Sequence, residues 1–242
     1  MQAWRSFGSA AADYELGRPG WPVEAVDAPG IACDATVLDL AAGTGKLTRV
    51  LVERFAHVTA VEPLDGMRAV LEDLVPGAEA LAGEAESIPL DDASVDAVFV
   101  AEAFHWFGGP AAAAEIARVL RPGGTLVVMW NERGGPTTPP LPDEYRRRVR
   151  ERRKATAAWP YGDGKWRTAL EDGPFGPIEL ASVPSVHELD CETMLASVRS
   201  WSWIASLSED EREAEIDALR ALLPDGAWTI PIRVDVYWTR RA

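Results

Sequence analysis

With 242 residues, 47% of them hydrophobic and 26% charged, the chain is long enough to bury a sizeable core and reads as a single globular domain with embellishments. A formal net charge of −14 repels polyanions, which argues against nucleic acid and anionic membrane surfaces as partners. Two cysteines, Cys33 and Cys191, are too few for a disulfide framework and fit a reduced, cytoplasmic setting.

The first residues, Met1 to Ala12, carry Arg5 but no apolar core of a leader peptide. No run approaches the ~18 apolar residues of a membrane span. From Thr36 to Asn131 short apolar runs alternate with helical patterns. The runs are Thr36–Leu40, Val58–Glu62, Ala78–Ala82, Val95–Val100 and Thr125–Trp130. They are apolar on successive residues, as strands buried on both faces are. Between them Lys46–Phe55, Gly66–Leu74 and Pro110–Leu120 place apolar residues at i, i+3, i+4 spacing. This order predicts right-handed βαβ units and an α/β, doubly wound, mostly parallel sheet. Arg121-Pro122-Gly123-Gly124 reads as the break between the last of these helices and the fifth strand.

Beyond Trp130 a Gly/Pro-rich stretch, Gly134 to Pro142, leads into a predicted helix, Glu144–Trp159, with a basic run (Arg146, Arg147, Arg148, Arg150, Arg152, Arg153, Lys154). Such a run is either a solvated face or a source of one or two arginines that bind an anionic substrate. Ile178–Leu189 reads as a strand, Cys191–Leu207 as one helix, and Ser208–Leu223 as another with an acidic start. Trp228–Thr239 alternates apolar and polar residues, the pattern of an antiparallel strand. Two late strands separated by helices extend the sheet to seven with a terminal antiparallel pair.

The segment Val37-Leu38-Asp39-Leu40-Ala41-Ala42-Gly43-Thr44-Gly45 is a strand, a tight turn of small residues and a helix start. That arrangement lets backbone N–H groups approach a nucleotide closely. Glu62 closes the next strand 17 residues after Gly45, where a carboxylate can accept hydrogen bonds from two ribose hydroxyls. After the third strand, Gly83-Glu84-Ala85-Glu86-Ser87-Ile88-Pro89-Leu90 sits at the same carboxyl edge, where a loop acid and an amide can read adenine. A nicotinamide cofactor would use the same turn and carboxylate, but Thr48 stands where the further glycine suited to a pyrophosphate would be.

Taken in order, Val37–Thr48, Val61-Glu62-Pro63, the Gly83–Leu90 loop, Val95-Asp96-Ala97-Val98 and Leu120-Arg121-Pro122-Gly123-Gly124 resemble the motifs of class I S-adenosylmethionine-dependent methyltransferases. Asp13-Tyr14, Arg18-Pro19-Gly20-Trp21-Pro22 and Ala103-Phe104-His105-Trp106-Phe107 resemble the small-molecule branch related to trans-aconitate-type enzymes. Ala41 stands where the family pattern has its first glycine. The resemblance implies a Rossmann-like sheet, with S-adenosyl-L-methionine as methyl donor. It implies that Asp39 and the Ala41, Ala42, Gly43, Thr44, Gly45 turn hold the methionine end, and that Glu62, beside Pro63, takes the ribose. Met67, Glu84, Ala85 and Glu86 then border the adenine, and Ala101 offers a carbonyl to the amine. Tyr14 and Arg18 would close on the cofactor carboxylate.

The chain is then one methyltransferase domain, 1–242. It has an N-terminal cap (1–34), a cofactor core (35–131), lid helices (132–177 and 191–224) and terminal strands (178–190 and 228–240). The acceptor is a small organic molecule, carboxylate-bearing if the arginine run faces it. His105, Trp106, Trp21 and either Trp201 or Trp203 are its expected neighbours; the two tryptophans lie two apart and cannot share one helix face. His105 is the one candidate general base, with an orienting role as its competitor. His57 and His187 read as structural. No His, Cys, Asp and Glu set has metal-ligand spacing, so no metal is expected. A monomer or homodimer is expected. The alternative from another class is a scaffold or sensor that binds S-adenosylmethionine without catalysis.

Overall fold

The computed structural model describes residues 11–155, 165–205 and 207–242. Predicted features at 1–10, at 156–164 and at 206 lie outside the described residues, as do the side chains of Arg153 and Lys154. One seven-stranded sheet runs in the order β3-β2-β1-β4-β5-β7-β6. Its strands are β1 (Thr36–Leu40), β2 (His57–Val61), β3 (Glu79–Leu81), β4 (Val95–Ala101), β5 (Leu120–Arg133), β6 (Glu179–Asp190) and β7 (Ala227–Arg240). The first five are parallel, and β7 joins β5 and β6 antiparallel. The strand order reverses between β1 and β4, so the carboxyl ends of these two flank a crevice suited to a ligand.

Helices α3 (Thr48–Arg54), α4 (Asp65–Leu74) and α5 (Pro110–Val119) connect the parallel strands. Pro110 starts α5 at the position where a missing N–H costs nothing. The fifth strand begins earlier than its sequence pattern predicts. Leu120 pairs with Val95, the ladder shifts, and pairing resumes at Ala97 with Thr125. Arg121–Gly124 is therefore a bulge inside β5, with Gly123 at φ +77°, and not a turn ahead of it.

By its packing the chain divides into two compact units. The larger contains Trp21–Glu132, Pro160–Val183 and Arg233–Ala242. Its core gathers Leu38, Val98, Phe104, Ile116, Leu126 and Val128. α2 (Val23–Asp27) and α7 (Lys165–Glu171) belong to it.

The second unit joins Met1–Gly20, Arg133–Trp159 and Pro184–Ile232. Its described helices are α1 (Ala11–Gly17), α6 (Asp143–Ala155), α8 (Cys191–Arg199), α9 (Ser202–Ala205) and α10 (Glu209–Arg220). All but α1 contribute to a core that includes Leu141, Tyr145, Leu195, Ile204, Ile216 and Trp228. Capping boxes start α8 (Asp190 with Thr193) and α10 (Ser208 with Glu211). Gly17 lies against α8 so closely that a Cβ there would sit 2.0 Å from the Ser197 nitrogen.

The single helix predicted over Cys191–Leu207 is broken at Ser200 and Trp201. The Arg18 guanidinium donates to Ser200 Oγ (2.8 Å) and to the Ser200 carbonyl (3.0 Å). The Ile204 N–H, which a continuous helix would direct to that carbonyl, donates instead to Trp201 O. The break brings the Trp201 and Trp203 rings together at 5.7 Å, both against the core of this unit. Their spacing of two, which separates them on a helix, separates nothing here.

Among the described residues no helix is long and apolar enough to cross a membrane. Among the same residues no group of three or more His, Cys, Asp and Glu is arranged to hold a metal ion.

Candidate active site

Three parallel strand ends, those of β1, β2 and β4, assemble the site within the larger unit. After β1 the chain reverses through Ala41 (φ +59°), Gly43 (φ +59°) and Gly45 (φ +84°). Glycine suits position 45 twice over, by its left-handed backbone and because a Cβ would lie 3.0 Å from Val75 Cγ2 and 3.1 Å from Leu71 Cγ. Ala41 takes the same left-handed backbone with a Cβ present, which costs about 1 kcal/mol. Ala41→Gly should therefore raise stability by about 0.5 kcal/mol, the strain relief exceeding the extra freedom glycine has when unfolded. Equilibrium denaturation would show this as a higher midpoint, and an unchanged or lower midpoint would contradict it.

Asp39 lies in β1 and is buried, with its carboxylate accepting from Thr48 Oγ1 at 2.6 Å. Burial raises its carboxyl from 3.8 to about 7, opposed by the Thr48 hydroxyl and assisted by the charge of Glu62. Glu62 follows β2 and is also buried. Its Oε2 accepts from Gly43 N and its Oε1 from Leu64 N, each at 2.9 Å. Burial raises this carboxyl as well, against those two N–H groups and the nearby Arg68. Arg68 in turn donates to the Glu62 carbonyl at 3.0 Å. Pro63 lies between Glu62 and α4, and Met67 is buried in the first turn of that helix.

The loop after β3 folds back through a bridge between Glu84 and Ser87, with Ala85 buried. Its far side is gripped by α5. Glu115 accepts from Ile88 N (2.9 Å), while Arg118 donates to the carbonyls of Ile88 (2.9 Å) and Leu90 (2.8 Å). Arg118 also pairs with Asp92 at 2.7 Å.

At the end of β4, Ala101 is followed by Glu102 in a left-handed conformation, φ +55°. Glu102 is fastened by its N–H to Met129 O (3.0 Å) and by its carboxylate to Asn131 N (2.5 Å). A 3-10 turn, Phe104–Trp106, then presents His105. The imidazole is buried, with ring centroids 4.5 Å from Trp106 and 5.3 Å from Trp130. Burial pushes its pKa down to about 4, so it is neutral at physiological pH.

Known proteins are similar to this chain in sequence and in fold. A methyltransferase-domain family model matches residues 38–128. An uncharacterized methyltransferase of Mycobacterium tuberculosis is 42% identical over 221 residues, covering 90% of this chain and 85% of that one. The chain belongs to the class I S-adenosylmethionine-dependent methyltransferases. An uncharacterized methyltransferase-like protein of Schizosaccharomyces pombe is 34% identical over 228 residues, covering 91% of this chain and 88% of that one. The geranyl diphosphate C-methyltransferase of Streptomyces coelicolor, crystallised with S-adenosyl-L-homocysteine, shares the fold. Its TM-score is 0.54 at 15% identity, over 91% of this chain and 75% of that one.

Glu62 supplies a fixed acceptor-only carboxylate, and the left-handed Gly43 and Gly45 let main chain take the place of side chains. This relationship sets aside the nicotinamide alternative. Tyr14, Arg18, Trp201 and Trp203 fall in the other unit, apart from Trp21, which precedes α2 half-buried in the larger one. Arg18 is tied to Ser200 and stacks over Tyr14 at 5.3 Å.

The arginine run of α6 is largely engaged within its own unit. Arg146 pairs with Asp143, and Arg147 with Glu144. Arg148 meets the buried Glu215 through two contacts of 2.8 Å, and Arg152 reaches it at 3.0 Å. Burial alone would raise the Glu215 carboxyl, and the two guanidinium groups outweigh that and hold it low. Sequence reasoning passed over Glu102, Trp130 and the Glu115–Arg118 pair. The only local signal for any of them was an aromatic residue at the end of a strand.

Proposed function

We propose that this methyltransferase methylates a small organic acceptor held beside His105 and Trp106. The observation that carries this reading is a neutral, buried imidazole against two indoles, following the strand end that adjoins the cofactor turn. The bound cofactor supplies an electrophilic methyl group on a sulfonium. Glu62 orients the ribose through its two outward lone pairs, while Glu84 and the Ala85 N–H border the adenine. Asp39 and the Ala41–Gly45 turn hold the methionine end, with the Ala101 carbonyl on its amine. Aromatic faces and carbonyl dipoles favour the positive charge before transfer.

The chain's contribution to rate is then alignment of the acceptor atom with the breaking bond, for which no strong base is required. Arg148 and Arg152 are already paired with Glu215, so the reading retains a small acceptor without requiring a carboxylate on it. Calorimetry with S-adenosylmethionine and S-adenosylhomocysteine, followed by a labelled-methyl screen of small acids, phenols and amines, tests it. Cofactor binding with a methylated product supports the reading. Binding without any product would leave the protein a cofactor-binding scaffold.

A group with a pKa of about 4 is a poor proton acceptor at neutral pH. His105 therefore orients the acceptor as a neutral imidazole. With the acceptor in hand, His105→Ala should raise KM about tenfold and lower kcat only a few-fold. A fall in kcat beyond about 100-fold, with loss of an ionisation from the pH profile, would restore the general-base role.

A further inference from the structure

We propose that Glu86 is a positioning residue that couples occupancy of the adenine loop to the His105–Trp106 turn. The inference rests on the reading of Glu84 and Ala85 as the adenine border. The sequence assigns Glu86 to that same border, yet its Oε1 accepts the N–H of Gly108, 22 residues away. Gly108 is two residues beyond Trp106 and immediately before Gly109, the residue that caps α5 with φ +54°.

Two further observations define this link. Gly108 does not have a left-handed backbone, so its conformation does not demand glycine. A Cβ there would lie 2.8 Å from Glu86 Oε1 and 3.4 Å from Glu86 Cγ, so the carboxylate would have to shift to make room for it. The glycine thus leaves room for the carboxylate where it is seen to meet the main chain. Moreover, the loop is held at its far side by an independent clamp, Glu115 and Arg118 on the same helix that Gly108 precedes. Residues 88–92 are fastened to the second half of α5, through Glu115 and Arg118, and residue 86 is fastened to the segment leading into it.

A change at Ala85 on cofactor binding is confined by the clamp on one side. It is handed on, through Glu86, to the segment that carries His105. The carboxylate also lies beside the N-terminal end of α5, where a negative charge is favoured.

Hydrogen–deuterium exchange with and without S-adenosylhomocysteine, read over residues 103–109, tests the coupling. In the wild type the ligand should slow exchange there by roughly threefold or more. Glu86→Ala and Gly108→Ala should bind the ligand within about threefold of wild type and lose that slowing. Glu86→Gln, which keeps an acceptor oxygen, should retain it. A residue that only stabilised the fold would raise exchange equally with and without ligand.

Undiminished slowing in both alanine variants overturns the inference, as does its absence from the wild type. Ligand affinity lost in Glu86→Ala but kept in Gly108→Ala overturns it too, since Glu86 would then touch adenine. Failure of the wild type to bind S-adenosylhomocysteine at all would instead overturn the cofactor-site reading on which it rests.

Discussion

Glu62→Ala should weaken S-adenosylhomocysteine binding by about 100-fold, close to 3 kcal/mol. An ionised carboxylate offers about four lone-pair sites. Gly43 N occupies one on Oε2 and Leu64 N one on Oε1, leaving one on each oxygen for a pair of vicinal hydroxyls. Alanine removes both ligand contacts and also leaves two main-chain donors without their acceptor, in a buried place. Glutamine is not a conservative replacement, since its amide nitrogen would face one of those N–H groups. Titration calorimetry on Glu62→Ala and Glu62→Gln checks this. Affinity within threefold of wild type in either variant would remove Glu62 from the site.

The second large effect concerns Asp39. Its carboxyl is raised from 3.8 to about 7 by burial, so the folded protein holds this proton at pH values where the unfolded chain has lost it. The associated stability is fully present below about pH 4 and disappears as the pH rises through 7. A shift of that size corresponds to at most about 4 kcal/mol. Asp39→Asn keeps an oxygen for the Thr48 hydroxyl and carries no charge. It should match the wild type near pH 4 and exceed it by about 2 kcal/mol at pH 8, a rise in Tm of roughly 4–8 °C. Cofactor affinity should fall in the same variant, as expected where a binding group is kept at a cost to the fold. Thermal unfolding at the two pH values provides the test. No gain at pH 8 would show that the buried charge is not a burden.

The strands that position these carboxylates were legible because their signals are local. Thr36–Leu40 is bounded by a polar start and a turn of small residues, and β1 has those limits. Glu62 and the Gly83–Leu90 loop could be placed at the carboxyl edge because a parallel βαβ order fixes which end of each strand they follow. The start of β5 was not legible, since Pro122-Gly123-Gly124 looks alike in a turn and in a bulge. Only pairing with Val95 distinguishes them.

The break between α8 and α9 had no signal at all. The apolar spacing continues through it without glycine or proline, and the group that takes up the Ser200 carbonyl there is Arg18, 182 residues away. The same holds for the arginine run. Whether Arg148 faces a substrate or a carboxylate of its own unit depends on Glu215, 67 residues later. Charge partners at that separation leave no periodicity. Ala41 is the intermediate case: its departure from the family pattern was visible, and its left-handed backbone gives that departure an energetic meaning.

The division of the chain bears on how such proteins can be recombined. The unit built on Leu141, Leu195, Ile216 and Trp228 is assembled from three separate stretches, so the chain enters or leaves it at five junctions. A chimera of two homologues made with one crossover between Leu141 and Trp228 would fill a single core with side chains from two parents. Exchange of the unit intact requires all five junctions to be cut together, near residues 20, 132, 159, 183 and 232. Inheritance of its packing is therefore nearly all-or-none.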